Sequence, residues 1–358
     1  MSVLGVIDRY VIRSVLTSVG LVVLVLLSLG GLFLFMGQQD DLGVGRYTTV
    51  AALQFVLLNL PQQAWELLPI SALIGALIGL GNLARGSELV VMRTSGLSVW
   101  RVARPVALAG LLLSLASLLV GEVIGPPLEQ YSRQQKAFAK FNDVSVAGSG
   151  DAWVRDGNLL VNVERQTGES QFGGMVVYEI SADGRLQAIG RAVSARAGEG
   201  GSWSLEQYSE TRFEAEQISS SRASSRDLAS NVTAEFLGIA ASVPSRLPTR
   251  ALWAMVRHLE VNGLESDEAR FALWSRIART FAPIFAVLLA LPFVFGSLRA
   301  SGAGAKVALG LILGIAFFLL QRMLESGAVV FNGSPILFAW APTVLMAAAA
   351  LILIRRTR

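Results

Sequence analysis

The sequence predicts a membrane domain of six transmembrane helices, interrupted after the third helix by an inserted all-β domain with a jellyroll-like pattern. Three observations predict this fold class. Hydrophobic residues make up 53% of the chain and charged residues only 16%, whereas soluble proteins carry about 25% charged residues. The two ends of the chain contain long apolar stretches and little charge. In the middle third, apolar and polar residues alternate as they do in β-strands.

Six stretches of the chain have a length and apolarity close to the roughly 20 residues that cross a bilayer as a helix. They are Val15–Met36, Leu67–Leu83, Val106–Ile124, Phe271–Phe295, Val307–Leu324 and Ile336–Ile354. An even number of spans leaves both termini on the same side of the membrane. We therefore divide the chain into spans one to three (1–125), the inserted domain with its flanking helices (126–267) and spans four to six (268–358).

The basic residues of the short loops predict the orientation, because cytoplasmic loops are enriched in Lys and Arg. These residues cluster before span one, between spans two and three, between spans four and five, and after span six: Arg9, Arg13, Arg85, Arg93, Arg101, Arg104, Arg299, Lys306, Arg355, Arg356 and Arg358. The loop after span one has only Arg46, and loop 326–334 has no basic residue. We expect a multi-pass protein of the inner-membrane type, with both termini in the cytoplasm and the large domain outside the cytoplasm.

The inserted domain is predicted from the spacing of its apolar residues. Leu159, Val161 and Val163 alternate with their neighbours, and turn signals such as Asp156-Gly157 and Asp183-Gly184 separate similar runs. Short alternating strands with regular turns favour a sandwich or a jelly roll. A short helix beginning at Thr249 is expected to follow the strands.

The segment between spans two and three combines helix signals with basic residues. Ser87 can cap a two-turn helix near residues 85–97, Glu88 falls in its first turn, and Gly96 can end it. Such a short amphipathic helix at a membrane surface suits docking into a groove of a soluble partner. An ordinary interfacial loop would have the same composition, and the residues alone leave both interpretations open.

Small residues recur at a spacing that permits close helix packing in two of the predicted spans. Gly75-x-x-x-Gly79 lies in span two and Gly310-x-x-x-Gly314 in span five. The missing side chains allow two helix backbones to approach closely. The motif is common, and packing within the chain explains it as well as a subunit interface does.

Three arginines are predicted near the outer membrane boundary, where charge is costly. Arg276 and Arg279 are three residues apart on span four, and Arg322 lies on span five close to Glu325. The arginine fork suits a phosphate group, so these residues are candidates for contact with a lipid headgroup. Snorkelling and local ion pairs are the alternative explanation.

Several functional classes are excluded or disfavoured by missing residues. The chain has no cysteine and a single histidine, His258, so thiolate chemistry is impossible and a zinc site is disfavoured. The glycine-rich segment ending at Lys306 is followed by Val307, which lacks the hydroxyl of an ATP-binding P-loop. We therefore expect no catalytic, metal or cofactor site, no enzyme and no nucleic-acid partner.

The order of several segments resembles that of a known family. The start Asp8-Arg9-Tyr10, the segment Pro69–Ser95 (PISALIGALIGLGNLARGSELVVMRTS), Gly125–Arg133, the strand region Trp153–Val163 and Leu291–Leu298 (LPFVFGSL) are similar to those of the LptF/LptG permeases of lipopolysaccharide export. The resemblance covers essentially the whole chain. It implies six helices and a periplasmic β-jellyroll, and it implies transport of lipopolysaccharide out of the inner membrane toward a periplasmic bridge.

The resemblance also implies partners and site residues. Such permeases form an LptF–LptG pair on a dimer of the ATPase LptB, with LptC as a further partner, and the ATPase hydrolyses the ATP. The segment near residues 85–97 then corresponds to the coupling helix, with Glu88 engaging the ATPase and Arg85, Leu89, Met92 and Arg93 around it. Spans one and five correspond to gate elements of the subunit boundary.

The chain departs from some relatives at the outer end of span one. Those relatives carry lysine there, whereas residues 33–41 of this chain contain no basic residue. We expect Arg276, Arg279 and Arg322 to substitute for it. The alternative to lipid export is a membrane sensor or mechanotransmission subunit, coupled to a cytoplasmic ATPase without passage of lipid.

Overall fold

The computed structural model describes residues 5–96, 98–140, 152–166, 171–181, 183–197, 202–213, 217–229, 247–295, 303–330 and 334–356. These residues form two compact units. The first, here called the helical unit, comprises residues 1–37, 56–129 and 270–358. The second, called the β unit, comprises residues 38–55 and 130–269.

The described residues form nine α-helices. They are α1 (Val6–Met36), α2 (Thr49–Arg85), α3 (Glu88–Thr94), α4 (Val99–Leu119), α5 (Gly125–Lys140), α6 (Thr249–Val261), α7 (Asp267–Phe295), α8 (Ala303–Val330) and α9 (Pro335–Arg356). Among the described residues, α1, α2, the helix beginning with α4, α7 and α9 are each long and apolar enough to cross a membrane. The helix α8 has 28 residues and contains predicted span five, Val307–Leu324. Its apolar described stretch is Ala308–Phe317.

The helix α2 lies at the centre of the helical unit, and glycines bring its neighbours close. Gly79 of α2 faces α1, where a Cβ atom would lie 2.7 Å from the carbonyl oxygen of Ser14. Ser14 Oγ donates a hydrogen bond of 3.2 Å to the carbonyl oxygen of Gly79. Gly310 of α8 packs against Ile74 and Leu77 of α2. Gly75 faces Val19 and Gly314 faces Ile70, so all four glycines of the two motifs lie at helix contacts inside the chain.

A π-helical turn, Val120–Ile124, joins α4 to α5 without a break in the helix. Its wider winding is closed by a hydrogen bond from the N–H of Gly125 to the carbonyl oxygen of Val120. Turns of this kind leave carbonyl groups without their usual partner in the helix and are frequent at functional positions. Gly121 is buried in this turn, where a Cβ atom would overlap the indole ring of Trp65.

The β unit contains a six-stranded antiparallel sheet, as expected for an all-β insert. Its strands are β1 (Ala152–Asp156), β2 (Leu159–Gln166), β3 (Gln171–Ile180), β4 (Leu186–Ala197), β5 (Ser202–Phe213) and β6 (Ile218–Ala229). Each strand pairs with the next one in the chain, in the order β1-β2-β3-β4-β5-β6. The prediction of a β-rich domain inserted between two sets of transmembrane helices is confirmed.

On three neighbouring strands of this sheet, the positions of the buried side chains shift by one residue along one line, whereas the strands keep the same pairing register on both sides of it. Gly174, Val193 and Gln207 have no partner in the described ladders of β3, β4 and β5. Met175 and Ala192 are buried on one side of the line, and Phe172 and Ala195 on the other. Gly174 and Gln207 adopt positive φ angles of 69° and 51°. The irregular line keeps apolar side chains on the same face along the full length of the long strands.

The turn between β1 and β2 is fixed by the end of α6. Asn262 Oδ1 accepts a hydrogen bond of 3.1 Å from the N–H of Gly157, and His258 Nε2 lies 2.9 Å from the carbonyl oxygen of Arg155. Burial lowers the pKa of His258 below its usual value. His258 thus has a structural contact with the sheet.

Candidate functional site

The helix α3 is a separate two-turn element between α2 and α4. Gly86 and Ser87 form the turn before it, and Ser87 has a positive φ of 59°. The N–H of Val91 donates to the carbonyl oxygen of Ser87 at 2.9 Å, so Ser87 begins the helical hydrogen bonding as predicted. Gly96, with a φ of 90°, follows the helix in a conformation that glycine adopts at little cost. The turn residues therefore set both ends of α3.

One side of α3 is anchored in the helical unit and the other side faces outward. Leu89 is 1% exposed within the core of the unit, and Met92 packs partly buried against that core. Val91 is 63% exposed, and Arg85 is also exposed. The side chain of Arg93 lies outside the described residues. Of the predicted docking residues, Leu89 is therefore buried and anchors α3. Val91, which was not among the predicted docking residues, is exposed on the outward side.

Glu88 is held by a residue of α1 that the sequence pattern did not single out as a site residue. The hydroxyl of Tyr10 donates a hydrogen bond of 3.2 Å to Glu88 Oε1. Two residues earlier in α1, the carboxylate of Asp8 receives two hydrogen bonds from Arg101 of α4, of 2.8 and 3.1 Å. The start of α1 is therefore linked by polar contacts to both α3 and α4.

A second polar cluster, here called the Arg276 cluster, comprises Trp65, Gly121, Glu122, Arg276 and Arg279. Arg276 Nε donates to Glu122 Oε1 at 2.6 Å, and its Nη2 donates to the carbonyl oxygen of Gly121 in the π-helical turn. The guanidinium groups of Arg276 and Arg279 lie 4.4 and 5.0 Å from the centre of the Trp65 ring. The cluster joins α2, the π-helical turn and α7.

The two predicted headgroup arginines of α7 have different surroundings. Arg276 is 3% exposed and forms an internal ion pair, which gives it a structural role in the isolated chain. Arg279 is partly exposed. The side chain of Arg322 on α8 lies outside the described residues. The structure therefore brings Arg276 and Arg279 together on one aromatic ring, and contact of any of the three with lipid stays a prediction.

The side chain of Lys136 in α5 contacts the segment that follows α1. This segment has no basic residue of its own before Arg46. The ammonium group of Lys136 lies 2.6 Å from Asp41 Oδ2 and donates to Gln38 Oε1 at 2.6 Å. It also lies over the rings of Tyr47 and Phe55, at 5.6 and 5.1 Å. Burial and the neighbouring Asp41 raise the pKa of Tyr47 to about 12. The contact joins residues 98 positions apart, so no local sequence pattern indicated it.

No group of three or more His, Asp or Glu side chains suitable for a metal ion occurs among the described residues. The polar contacts described above join helices or strands through ion pairs, hydrogen bonds and contacts with aromatic rings. The arrangement consists of a short helix anchored in the helical unit and of helices tied to one another by polar contacts.

Comparison with known proteins gives one consistent result. The family described as "Lipopolysaccharide export system permease LptF/LptG" matches residues 9–356. The chain is 32% identical to the lipopolysaccharide export system permease protein LptG of Escherichia coli K12 over 358 residues, which is 99% of each chain. It is 28% identical to LptG of Haemophilus influenzae over 99% of each chain.

The LptF relatives are less similar to this chain. LptF of Escherichia coli K12 is 24% identical, over 97% of this chain and 94% of the relative. The match to family and relatives favours a permease over the sensor alternative, and it agrees with the expectation that the chain is not itself an enzyme. Because the family match extends over nearly the full length, the chain belongs to the LptF/LptG family of lipopolysaccharide export system permeases.

Proposed function

We propose that this chain is the LptG-type transmembrane subunit of an ATP-driven transporter that extracts lipopolysaccharide from the inner membrane and passes it to a periplasmic bridge. Its partner permease is LptF, a dimer of LptB hydrolyses the ATP, and LptC joins the complex. The greater similarity to LptG than to LptF relatives supports this assignment within the pair. The chain contributes the membrane path and the ATPase contact, and no catalytic group.

The observation that carries the proposal is the geometry of α3. A two-turn helix with Leu89 buried in the helical unit transmits force on its outer side directly to the helices around it. Glu88, Val91 and Arg85 lie on or near that outer side. Protein interfaces combine an apolar core with a polar rim, and an exposed apolar residue next to charged ones fits this pattern. This supports docking of the ATPase on α3.

The contacts at the start of α1 support the proposal that two elements lie on the same side of the membrane. Tyr10 reaches Glu88 and Asp8 reaches Arg101, so the N-terminal end of α1 and the segment between α2 and α4 lie together. Both elements carry the basic residues that favour the cytoplasm. We therefore place both termini and α3 in the cytoplasm, and residues 126–267 in the periplasm.

Candidate headgroup contacts follow from the cationic side chains near the outer ends of the spans. Arg279 is partly exposed. Lys136 contacts Gln38 and Asp41 in the segment after α1, and some relatives carry lysine in this part of the sequence. The side chain of Lys136 is 22% exposed and is paired with Asp41, so an anionic headgroup would have to compete with this carboxylate. We keep Arg276, Arg279 and Arg322 as proposed contacts and add Lys136 to them.

The docking proposal is tested with the purified permease pair and its ATPase. Glu88→Ala removes the carboxylate of α3, and Val91→Asp places a charge in the apolar part of the proposed interface. Both changes are expected to reduce co-purification of the ATPase and lipopolysaccharide-stimulated ATP turnover. The control Glu265→Ala removes an exposed carboxylate of the β unit and is expected to leave both measurements unchanged.

The lipid proposal has a separate measurement. Mass spectrometry of lipids that co-purify with the permease pair in nanodiscs is expected to detect lipid A. Unchanged assembly and ATP turnover in Glu88→Ala and Val91→Asp would contradict docking at α3, and absence of lipid A from an intact complex would instead favour the sensor alternative.

A further inference from the structure

The carboxylate of Glu88 belongs to a helix that is too short to order it alone. The helix α3 has seven residues, and helices of this length are marginal in water without tertiary contacts. A glutamate side chain has several rotatable bonds, and fixing them on binding opposes association. A side chain already held in the bound orientation avoids much of this loss.

Tyr10 of α1 restrains the side chain of Glu88 from a different helix. Its hydroxyl donates to Glu88 Oε1 at 3.2 Å, across 78 positions in the chain. A hydrogen bond to an ionised acceptor is stronger than one between neutral groups. The bond uses one of the two carboxylate oxygens. Oε2 has no hydrogen-bond partner in the part of the chain that the structure describes, and it stays available to a cation on a partner.

The position of Tyr10 is itself fixed by its neighbours in α1. Asp8 is 5% exposed and forms a two-point ion pair with Arg101 of α4. The same carboxylate accepts a hydrogen bond of 3.1 Å from the N–H of Gly5 at the start of α1. Val11, next to Tyr10, is 0% exposed in the core of the helical unit. The first turns of α1 are thus immobilised against α4, and the hydroxyl of Tyr10 is presented to α3 from a rigid base.

We propose that Tyr10 is a positioning residue for ATPase docking: it holds one oxygen of the Glu88 carboxylate so that the other receives a basic side chain of the ATPase. This inference rests on the proposed docking of the ATPase at α3. It assigns to the start of α1 a role in the ATPase contact that follows from the polar contacts of Asp8, Tyr10, Glu88 and Arg101.

The test is a double-mutant cycle on the permease pair in nanodiscs, with the affinity of the purified ATPase as the readout. Tyr10→Phe removes only the hydroxyl, and loss of one such hydrogen bond is expected to weaken binding about twofold to tenfold. Glu88→Gln is expected to weaken binding at least as much. The double variant is expected to bind no more weakly than Glu88→Gln alone, because Tyr10 acts through Glu88.

Tyr131→Phe is the matched control. Tyr131 is an exposed tyrosine of α5 that bonds to Gln135 in its own helix, and its variant is expected to keep the parent affinity. The thermal stability of the permease pair is measured for each variant. An unchanged midpoint with weakened docking separates positioning of Glu88 from a general loss of structure.

The outcomes distinguish this inference from the docking proposal. If Glu88→Gln weakens docking and Tyr10→Phe does not, the role of Tyr10 is refuted and docking at α3 stands. If the two losses add fully in the double variant, Tyr10 acts independently of Glu88 and the inference is again refuted. If Glu88→Gln has no effect on affinity, the docking proposal itself fails.

Discussion

Replacement of Arg276 by methionine is expected to destabilise the helical unit strongly. The side chain of Arg276 is 2% exposed, and its ion-pair partner Glu122 is 20% exposed. The variant keeps a flexible apolar side chain in the same space but takes the guanidinium of Arg276 away from Glu122. It also removes the donor to the carbonyl oxygen of Gly121 in the π-helical turn.

The size of the effect follows from these contacts. Removing one partner of a buried ion pair costs about 3–5 kcal/mol. Partial exposure of Glu122 allows some hydration, so we expect about 3 kcal/mol from the carboxylate. Loss of the stacking of the cation on Trp65 adds about 1 kcal/mol. Arg276→Met should therefore lower the free energy of unfolding by about 4 kcal/mol.

The double variant Arg276→Met/Glu122→Gln separates charge from packing. It also neutralises the carboxylate that pairs with Arg276, so about half of the lost stability should return, roughly 2 kcal/mol. Unfolding in mixed micelles or by steric trapping in bicelles measures these differences. Arg257→Met, at an exposed arginine of α6, is the matched control and should change stability by less than about 0.5 kcal/mol.

Two results would refute this reasoning. Arg276→Met could prove as stable as the parent chain, which would mean that the ion pair does not hold α7 to the π-helical turn. Alternatively, the double variant could prove no more stable than Arg276→Met, which would mean that the charge of Glu122 in the absence of Arg276 is not the source of the loss.

Three further predictions concern other contacts and are checked by thermal unfolding. Gly79→Ala should cost about 1–3 kcal/mol because its Cβ would crowd the α1 backbone, whereas Gly20→Ala, with no atom within 4 Å of the new Cβ, should be neutral or stabilising. If both behave alike, close packing at Gly79 is not needed. Burial lowers the pKa of His258 in the folded chain, so its contribution to stability is complete above the unfolded pKa of about 6.5 and is lost as pH falls through the folded pKa. His258→Gln should therefore flatten the dependence of the unfolding midpoint on pH. An unchanged pH dependence would mean that other groups cause it. Gly190→Ala should destabilise the β unit by about 2 kcal/mol, because the new Cβ would overlap the hydroxyl of Tyr208, and Tyr208→Phe in the same chain should restore part of the loss unless the overlap is relieved elsewhere.

The transmembrane helices were predictable where apolar residues run without interruption. Predicted span four, Phe271–Phe295, ends at the same residue as α7. Predicted span two, Leu67–Leu83, covers only the second half of α2, which begins at Thr49. Buried polar residues such as Asn59 and Gln62 interrupt the apolar run there, and hydropathy does not distinguish a buried polar side chain from a loop.

The β-rich insert was predictable from alternation, but its irregularity was not. The change of face at Gln207 depends on pairing with two neighbouring strands, and a positive φ at a glutamine has no strong sequence signal. Similarly, the helix signals around Ser87 and Gly96 are local and predicted α3 well. The contacts of Glu88 with Tyr10 and of Arg276 with Glu122 join residues 78 and 154 positions apart, so only the folded chain reveals them.

The proposed export of lipopolysaccharide from the inner membrane implies that the lipid reaches the β unit when ATP is supplied. Photo-crosslinking in proteoliposomes that contain the permease pair and its ATPase tests it most directly. A photo-reactive residue at Leu205, which is buried on the core face of the sheet, is compared with one at the exposed neighbour Glu206. We predict ATP-dependent capture of lipopolysaccharide at Leu205, little capture at Glu206, and loss of capture in Glu88→Ala. Capture only at Glu206, or capture that does not depend on ATP in an assembled and ATP-hydrolysing complex, would contradict the account.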